Sequence, residues 1–416
     1  MRTRILSVIA FGLAGAVSTA AISGIVAPPA VAQAKVSREF GEPYMAARDL
    51  IQSKDYKGAL SKLAQAEPHA SSKSEKLAIE QLKTACYSGL GDKTELIKSL
   101  ENQLAIGGLP ANVVKNHRTT LAGLYDQTHN QAKAVSMTRD LIKDYGGSAE
   151  QNAYVASDAL QHKNFKDAIS YADKAIEISK KDGKKPKEGW YQIVQRAYFE
   201  QKDNDHFYAT VERTAADYPS SANLEILINR ATSAPHFDRA NNMLDVQRAL
   251  VAAGVKLKPL EQAEMGEAAI SRENPAESAK IFDALNKTSF SGIDPSKVAR
   301  YKSMYGKAQS DAKTDEATGL AGREKDAAAA GKGDRYLAVA DTYLGAGNYA
   351  KAIELIGKGM DKGGLDAGQI AYAKLDLGLA QYKSGKKEEA RKTWAEVKSD
   401  NGAENLAKAW ILISKK

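Results

Sequence analysis

The side chains able to do acid–base, nucleophilic or metal chemistry are few and scattered along these 416 residues. The six histidines (His69, His117, His129, His162, His206 and His236) have no metal-ligand spacing to another His, Cys or acid on one helical face. Asp203-Asn204-Asp205-His206 is the one local cluster, and its composition is that of a turn followed by a helix cap. Ser88 in Tyr87-Ser88-Gly89-Leu90-Gly91 lacks the first glycine of a nucleophile elbow. No Gly-rich loop that would cradle a phosphate and no HExxH pattern occurs. Cys86 is the single cysteine, so no internal disulfide can form; among Leu82, Ala85 and Tyr87 it reads as a buried structural thiol. The expectation is therefore a chain with no catalytic residue, cofactor or metal.

The elements that would carry any site are helices. Hydrophobic content of 43% and charged content of 26% are those of a folded protein, with only 11 prolines. Ala, Lys and Leu, all good helix formers, lead the composition, and no stretch alternates apolar and polar β-branched residues. An all-α fold follows. The formal charge of +8 is spread along the chain. Its densest run, Lys180-Lys181-Asp182-Gly183-Lys184-Lys185-Pro186-Lys187, reads as a solvated loop. Without a basic stripe interleaved with aromatics, nucleic acid is not an expected partner.

Residues 1–34 read as a signal peptide. Arg2 and Arg4 precede an uncharged apolar run, Ile5 to Val26, and Ala32-Gln33-Ala34 supplies small residues for cleavage near Ala34. The run is also long enough to span a bilayer, so an uncleaved anchor is the alternative. Export, to a periplasm, is the expected localisation, with no membrane span after cleavage.

A short phrase recurs downstream: Lys54-Asp55-Tyr56-Lys57-Gly58-Ala59, Lys163-Asn164-Phe165-Lys166-Asp167-Ala168, Gly347-Asn348-Tyr349-Ala350-Lys351-Ala352 and Gly385-Lys386-Lys387-Glu388-Glu389-Ala390. Each is a tight turn opening a second amphipathic helix, at the spacing of a helical-hairpin repeat. Ala59, Leu96, Ala134, Ala168, Ala352 and Ala390 fall at one position, where a small side chain lets the second helix approach the first. One helical turn later stand Leu63, Leu100, Ala172, Ile356 and Trp394. With Leu377-Gly378, Tyr125, Tyr343, Trp190, Ala66, Ala175 and Pro219, the set resembles the tetratricopeptide repeat family.

That resemblance implies a right-handed helical-hairpin solenoid acting as a scaffold for a protein or peptide partner. The first helix of each pair would line a concave groove. By position those residues are Tyr44, Arg48, Gln81, Gln127, Tyr191, Gln195, Tyr198, Tyr372, Leu379 and Tyr382. Tyrosine suits such a surface, offering apolar area and a hydroxyl at low rotamer cost. The Lys and Asn set with which some members clamp a peptide's carboxylate is not evident. A Tyr-rich groove with mild positive charge leaves a cell-wall or carbohydrate-binding role as the alternative. The expected division is an N-terminal array over 35–287, a weakly packed helical bridge over 288–333, and a C-terminal pair with a capping helix over 334–416, where Leu406–Ile413 reads as the cap.

Overall fold

The computed structural model describes residues 37–416, so the expected signal peptide lies outside the described residues. Among the described residues the chain is helical and has no strand. It divides into two compact units, one ending at Asp203 and the other running from Asn204 to Lys416.

The first unit holds α1 (Arg38–Gln52), α2 (Tyr56–Ala66), α3 (Lys73–Leu90), α4 (Lys93–Ile106), α5 (Ala111–Gln127) and α6 (Gln131–Tyr145). It continues with α7 (Ala149–Gln161), α8 (Phe165–Lys181) and α9 (Glu188–Glu200). Helices pack as successive hairpins, α1 on α2 through α7 on α8, with α9 against both α7 and α8. The core is correspondingly a series of small clusters, such as Phe40, Ala59, Leu63 and Ile79, then Leu100, Leu121, Tyr125 and Ala134. Neighbour-only burial of this kind is what a solenoid requires.

One turn builds the hairpins of both units. Lys54, Gly91, His129, Lys163, Lys202, Glu273, Gly347 and Gly385 all have positive φ. The next residue sends its N–H back five positions: Asp55 to Leu50, Asp92 to Tyr87, Asn130 to Tyr125, Asn164 to Ala159, Asp203 to Tyr198, Asn274 to Ala269, Asn348 to Tyr343, Lys386 to Gln381. This is the left-handed closure that satisfies the last carbonyls of the first helix. Where that next residue is Asp55, Asp92, Asn130, Asn164 or Asn348, its side chain then caps the following helix. The small positions expected beyond the turn are buried at Ala59, Ala134, Ala168, Ala352 and Ala390, while Leu96 is half-buried. The fold is an all-α helical-hairpin repeat.

The second unit comprises α10 (Asn204–Asp217), α11 (Ser221–Arg230), α12 (Arg239–Ala252), α13 (Pro259–Ser271), α14 (Pro275–Asn286) and α15 (Pro295–Thr318). There follow α16 (Ala321–Ala329), α17 (Asp334–Ala346), α18 (Tyr349–Lys362), α19 (Ala367–Lys383), α20 (Lys387–Ala395) and α21 (Ala403–Ile413). Here the repeats close on themselves. Helix α21 packs on α19 and α20 and also on α11 and α12 at the start of the unit. Lys416 Nζ donates to the Ala253 carbonyl at 3.1 Å, and His236 Nδ1 meets Asp400 Oδ2 at 2.9 Å. Residues 334–416 thus share one core with Leu224, Ile228, Val246 and Ala249 instead of standing apart behind a bridge.

The segment 288–333 is helical and anchored at both ends. Phe290, Ile293 and Tyr301 are buried with Phe282, and Leu320 and Ala327 join the core of α17 and α18. A thin apolar stripe is enough for α15, because Val298, Tyr301, Met304 and Tyr305 in its first half do the packing and most of its outer half is left to solvent.

Candidate functional site

The turn at Glu273-Asn274 departs from the others. Asn274 does not cap α14; its amide Nδ2 donates to Asp341 Oδ2 at 2.6 Å, and the residue is only 1% exposed. It enters a buried ion network assembled from five helices. Arg248 on α12 donates to Asp245 Oδ1 and Asp341 Oδ1, both at 3.0 Å, and grips Glu277 on α14 with two nitrogens at 3.0 and 2.5 Å. Arg272, at the end of α13, reaches Asp245 at 2.6 Å, Asp341 on α17 at 2.8 Å and Asp376 on α19 at 3.3 Å.

Four carboxylates therefore surround two guanidiniums, and the surplus falls on Asp376. Its Oδ1 is buried without a hydrogen-bond partner, 3.9 Å from the nearest Arg248 nitrogen. Burial, reinforced by Asp245 and Asp341, pushes the Asp376 carboxyl well above the usual carboxylate range against the pull of Arg272 and Arg248. Burial also disfavours the charge of Asp341, but Arg248 and Arg272 outweigh it and hold that carboxyl below its ordinary value. The Tyr372 hydroxyl is raised by burial and by the Asp245 and Asp376 charges.

The network forms one wall of a cavity of about 310 Å³. Arg272, Asp341, Tyr372 and Asp376 line that wall, Leu337, Ile356 and Ala373 an apolar one, and Glu273, Asp334 and Gln369 stand at the exposed rim. Helices α17 and α19, first helices of their hairpins, supply most of the lining.

A sign follows for pH. Asp376 binds its proton more tightly folded than unfolded, where the reference value is about 3.9. From about pH 4 upward the unfolded chain loses this proton first, so the group's contribution to stability falls as pH rises toward its folded value. Asp341 has the opposite sign, contributing above its unfolded value and losing that contribution in acid. Asp376→Asn is expected to flatten the decline above pH 4 and to leave the second unit at least as stable as wild type at pH 7, measured by urea unfolding across pH.

Of the expected groove residues, only Tyr372 enters this cavity, with its hydroxyl donating to the Asn401 carbonyl at 3.2 Å. Two expectations are corrected. Tyr191 is fully buried and Leu379 is 5% exposed, because both face the neighbouring hairpin; Leu379 does border a second cavity of about 250 Å³ with Lys280 and Lys383. Tyr382 packs its ring 6.0 Å from Trp394 and 6.1 Å from Trp410. Tyr44 stacks on Phe40 at 5.3 Å, and Arg48, Gln81, Gln195 and Tyr198 are half-buried. Gln127 is exposed. Tyr191→Ala is accordingly expected to cost about 3 kcal/mol of stability in the first unit, whereas Gln127→Ala stays within about 0.5 kcal/mol in the same denaturation assay.

The histidines do not converge either. His117 Nε2 sits 2.9 Å from Gln103 Oε1, and burial lowers its pKa, keeping it neutral. Among the described residues no group of three or more His, Cys, Asp or Glu is placed to hold a metal ion. Cys86 is buried, and desolvation raises its thiol to about 11.

No family model matches the chain, and no curated protein matches it. Among solved structures it is similar to the crystal structure of the P58(IPK) TPR domain, 12% identical, over 90% of this chain and 98% of that one, at a TM-score of 0.19. So low a score carries no argument. The repeat fold rests on the eight turns and the hairpins they close. Among the described residues no helix is long and apolar enough to cross a membrane.

Proposed function

We propose that this chain is an exported, non-enzymatic scaffold of the cell envelope that holds a protein or peptide segment against the first helices of its hairpins. The observation that carries the reading is the repeated hairpin itself, whose second helices are buried by small residues and whose first helices, at α17 and α19, border an open cavity. A repeat of this kind presents an extended surface for partners. Export is supported by Arg2, Arg4, the apolar run Ile5 to Val26 and Ala32-Gln33-Ala34.

The test is a photo-crosslinking residue placed at Gln369, on the exposed rim, in cells of the native host. A discrete protein adduct, absent when the same residue is placed at exposed Lys302 on α15, is expected. No adduct at Gln369, or the same adducts from both positions, would overturn the reading. N-terminal sequencing of the mature chain is expected to begin at Lys35; an intact Met1 terminus would overturn cleavage.

A further inference from the structure

We propose that the second cavity, bordered by Lys280 and Lys383, is a binding site for a small amphipathic carboxylate. The tail of an aliphatic acid fills the cavity, and its ionised head meets the two lysines. The ligand is a free acid and not a protein segment, so the proposal goes beyond the scaffold reading and does not depend on it.

The walls argue for the tail. This cavity, of about 250 Å³, lies within the second unit and is bordered by α12, α13, α14, α17, α19 and α21. Met265, Leu344, Leu379 and Trp410 line it and are otherwise buried. Val251 lines it too, yet stands 52% exposed. Covering such apolar surface with a methylene tail is favourable in proportion to the area taken from water. The volume falls just below the ordinary range of ligand sites, so it suits one short tail. A peptide backbone would bring N–H and C=O groups that need partners against an apolar lining, whereas an alkyl tail brings none.

Charge argues for the head. Arg248, Lys280 and Lys383 line the cavity against a single carboxylate, Glu277. Glu277 is spent on Arg248, which grips both its oxygens and is itself committed to Asp245 and Asp341. The lysines are what remain, and among the described residues neither is paired with a carboxylate. The Lys280 ammonium reaches only the Gly345 and Ala346 carbonyls, at 3.4 and 3.5 Å, the outer limit of a hydrogen bond. Gly345 itself lines the cavity, so this ammonium stands at its edge. Lys383, exposed at the end of α19, has no hydrogen-bond or ion-pair partner among the described residues. A carboxylate gives both ammoniums the charge-assisted bonds they lack. A cationic head would be repelled, and an inorganic anion would leave the apolar lining uncovered. A cation at the end of α19 also complements the helix dipole, but that role alone carries no preference for a ligand's head group.

The experiment follows the methyl resonances of Met265, Leu344 and Leu379 in the full chain at pH 7 while octanoate or 1-octanol is titrated in, octanoate to about 10 mM, the range of a weak single-site contact. Exposed Met45, in the first unit, serves as the control for surface coating. Octanoate is expected to shift the three cavity methyls saturably, to leave Met45 unmoved, and to bind about tenfold more tightly than the alcohol. A cavity that is merely apolar would take the alcohol at least as well, because its uncharged head is the easier to desolvate. Lys280→Gln and Lys383→Gln are each expected to weaken octanoate about threefold, as lost exposed charge pairs, and to leave 1-octanol unchanged. The double variant should lose the preference for the acid. Both lysines are exposed, so these results do not depend on the core tolerating change. No saturable shift with octanoate, an equal shift at Met45, binding of the alcohol as tight as that of the acid, or a preference undiminished in the double variant would overturn the proposal. None of these outcomes bears on the protein adduct expected at Gln369, which tests the scaffold reading separately.

Discussion

Arg248→Ala is expected to destabilise the second unit by about 3–5 kcal/mol, because it leaves Glu277 without its guanidinium and Asp245 and Asp341 with Arg272 as their one remaining cation. The Arg248 side chain is 6% exposed, so water cannot replace it. It also joins elements far apart in sequence: Asp341 is 93 residues from Arg248, and this contact ties α12 to α17. Arg248→Lys keeps the charge but loses the fork that grips both Glu277 oxygens, so a smaller loss of about 2 kcal/mol is expected. Urea unfolding followed by tryptophan fluorescence reads this unit through Trp394 and Trp410, while Trp190 reports on the first. A loss below about 1 kcal/mol for Arg248→Ala would mean that the network is already hydrated and clamps nothing.

That network shows where the sequence is legible and where it is not. The repeats are written locally: a left-handed residue, an Asp or Asn, then a small residue shortly afterwards, all within one hairpin. Such signals survive degeneracy because each is a backbone requirement met by few residue types. Closure of the second unit is not local. Nothing in Leu406–Ile413 says that this apolar helix meets α11 and α12 as well as α19, since an apolar face specifies burial but not a partner.

The site is legible only in outline. Tyr372 falls where a first-helix residue should face a groove. Tyr191 and Leu379 occupy similar positions by pattern yet are core, because a first helix divides its surface between groove and neighbouring hairpin, and a turn of register decides which. The charged members left a weaker trace. Asp341 and Asp376 are the charged residues within the largely apolar stretches Leu337–Leu344 and Leu375–Ala380, and Asp245 and Arg248 stand three apart in a buried run. A charge within an apolar face demands a buried partner, but identifying it requires the fold. The diverted cap at Asn274 is of the same kind: its sequence context is an ordinary turn, and only its side chain breaks the rule.

Trp394→Ala is expected to cost about 4–5 kcal/mol, the upper range for emptying a buried aromatic site. The indole is 1% exposed, lies stacked on Trp410 at 5.6 Å and donates Nε1–H to the Leu375 carbonyl at 3.0 Å. It occupies the groove left by Gly378, where an added Cβ would stand 2.3 Å from Nε1. The glycine of Leu377-Gly378 is therefore present for this close approach, since it lies within α19 and not at a turn. Gly378→Ala alone is expected to cost about 1–3 kcal/mol through overpacking. In a Trp394→Ala background the clash is gone and the alanine contributes its better helix propensity, up to about 1 kcal/mol. The double variant should thus be no less stable than Trp394→Ala, and the two single losses should fail to add by at least about 1 kcal/mol in urea unfolding. Additive losses would show that the indole does not fill the glycine's groove. The pairing of a repeat's glycine with the next helix's large residue, on which the hairpin geometry depends, would then be wrong for this repeat.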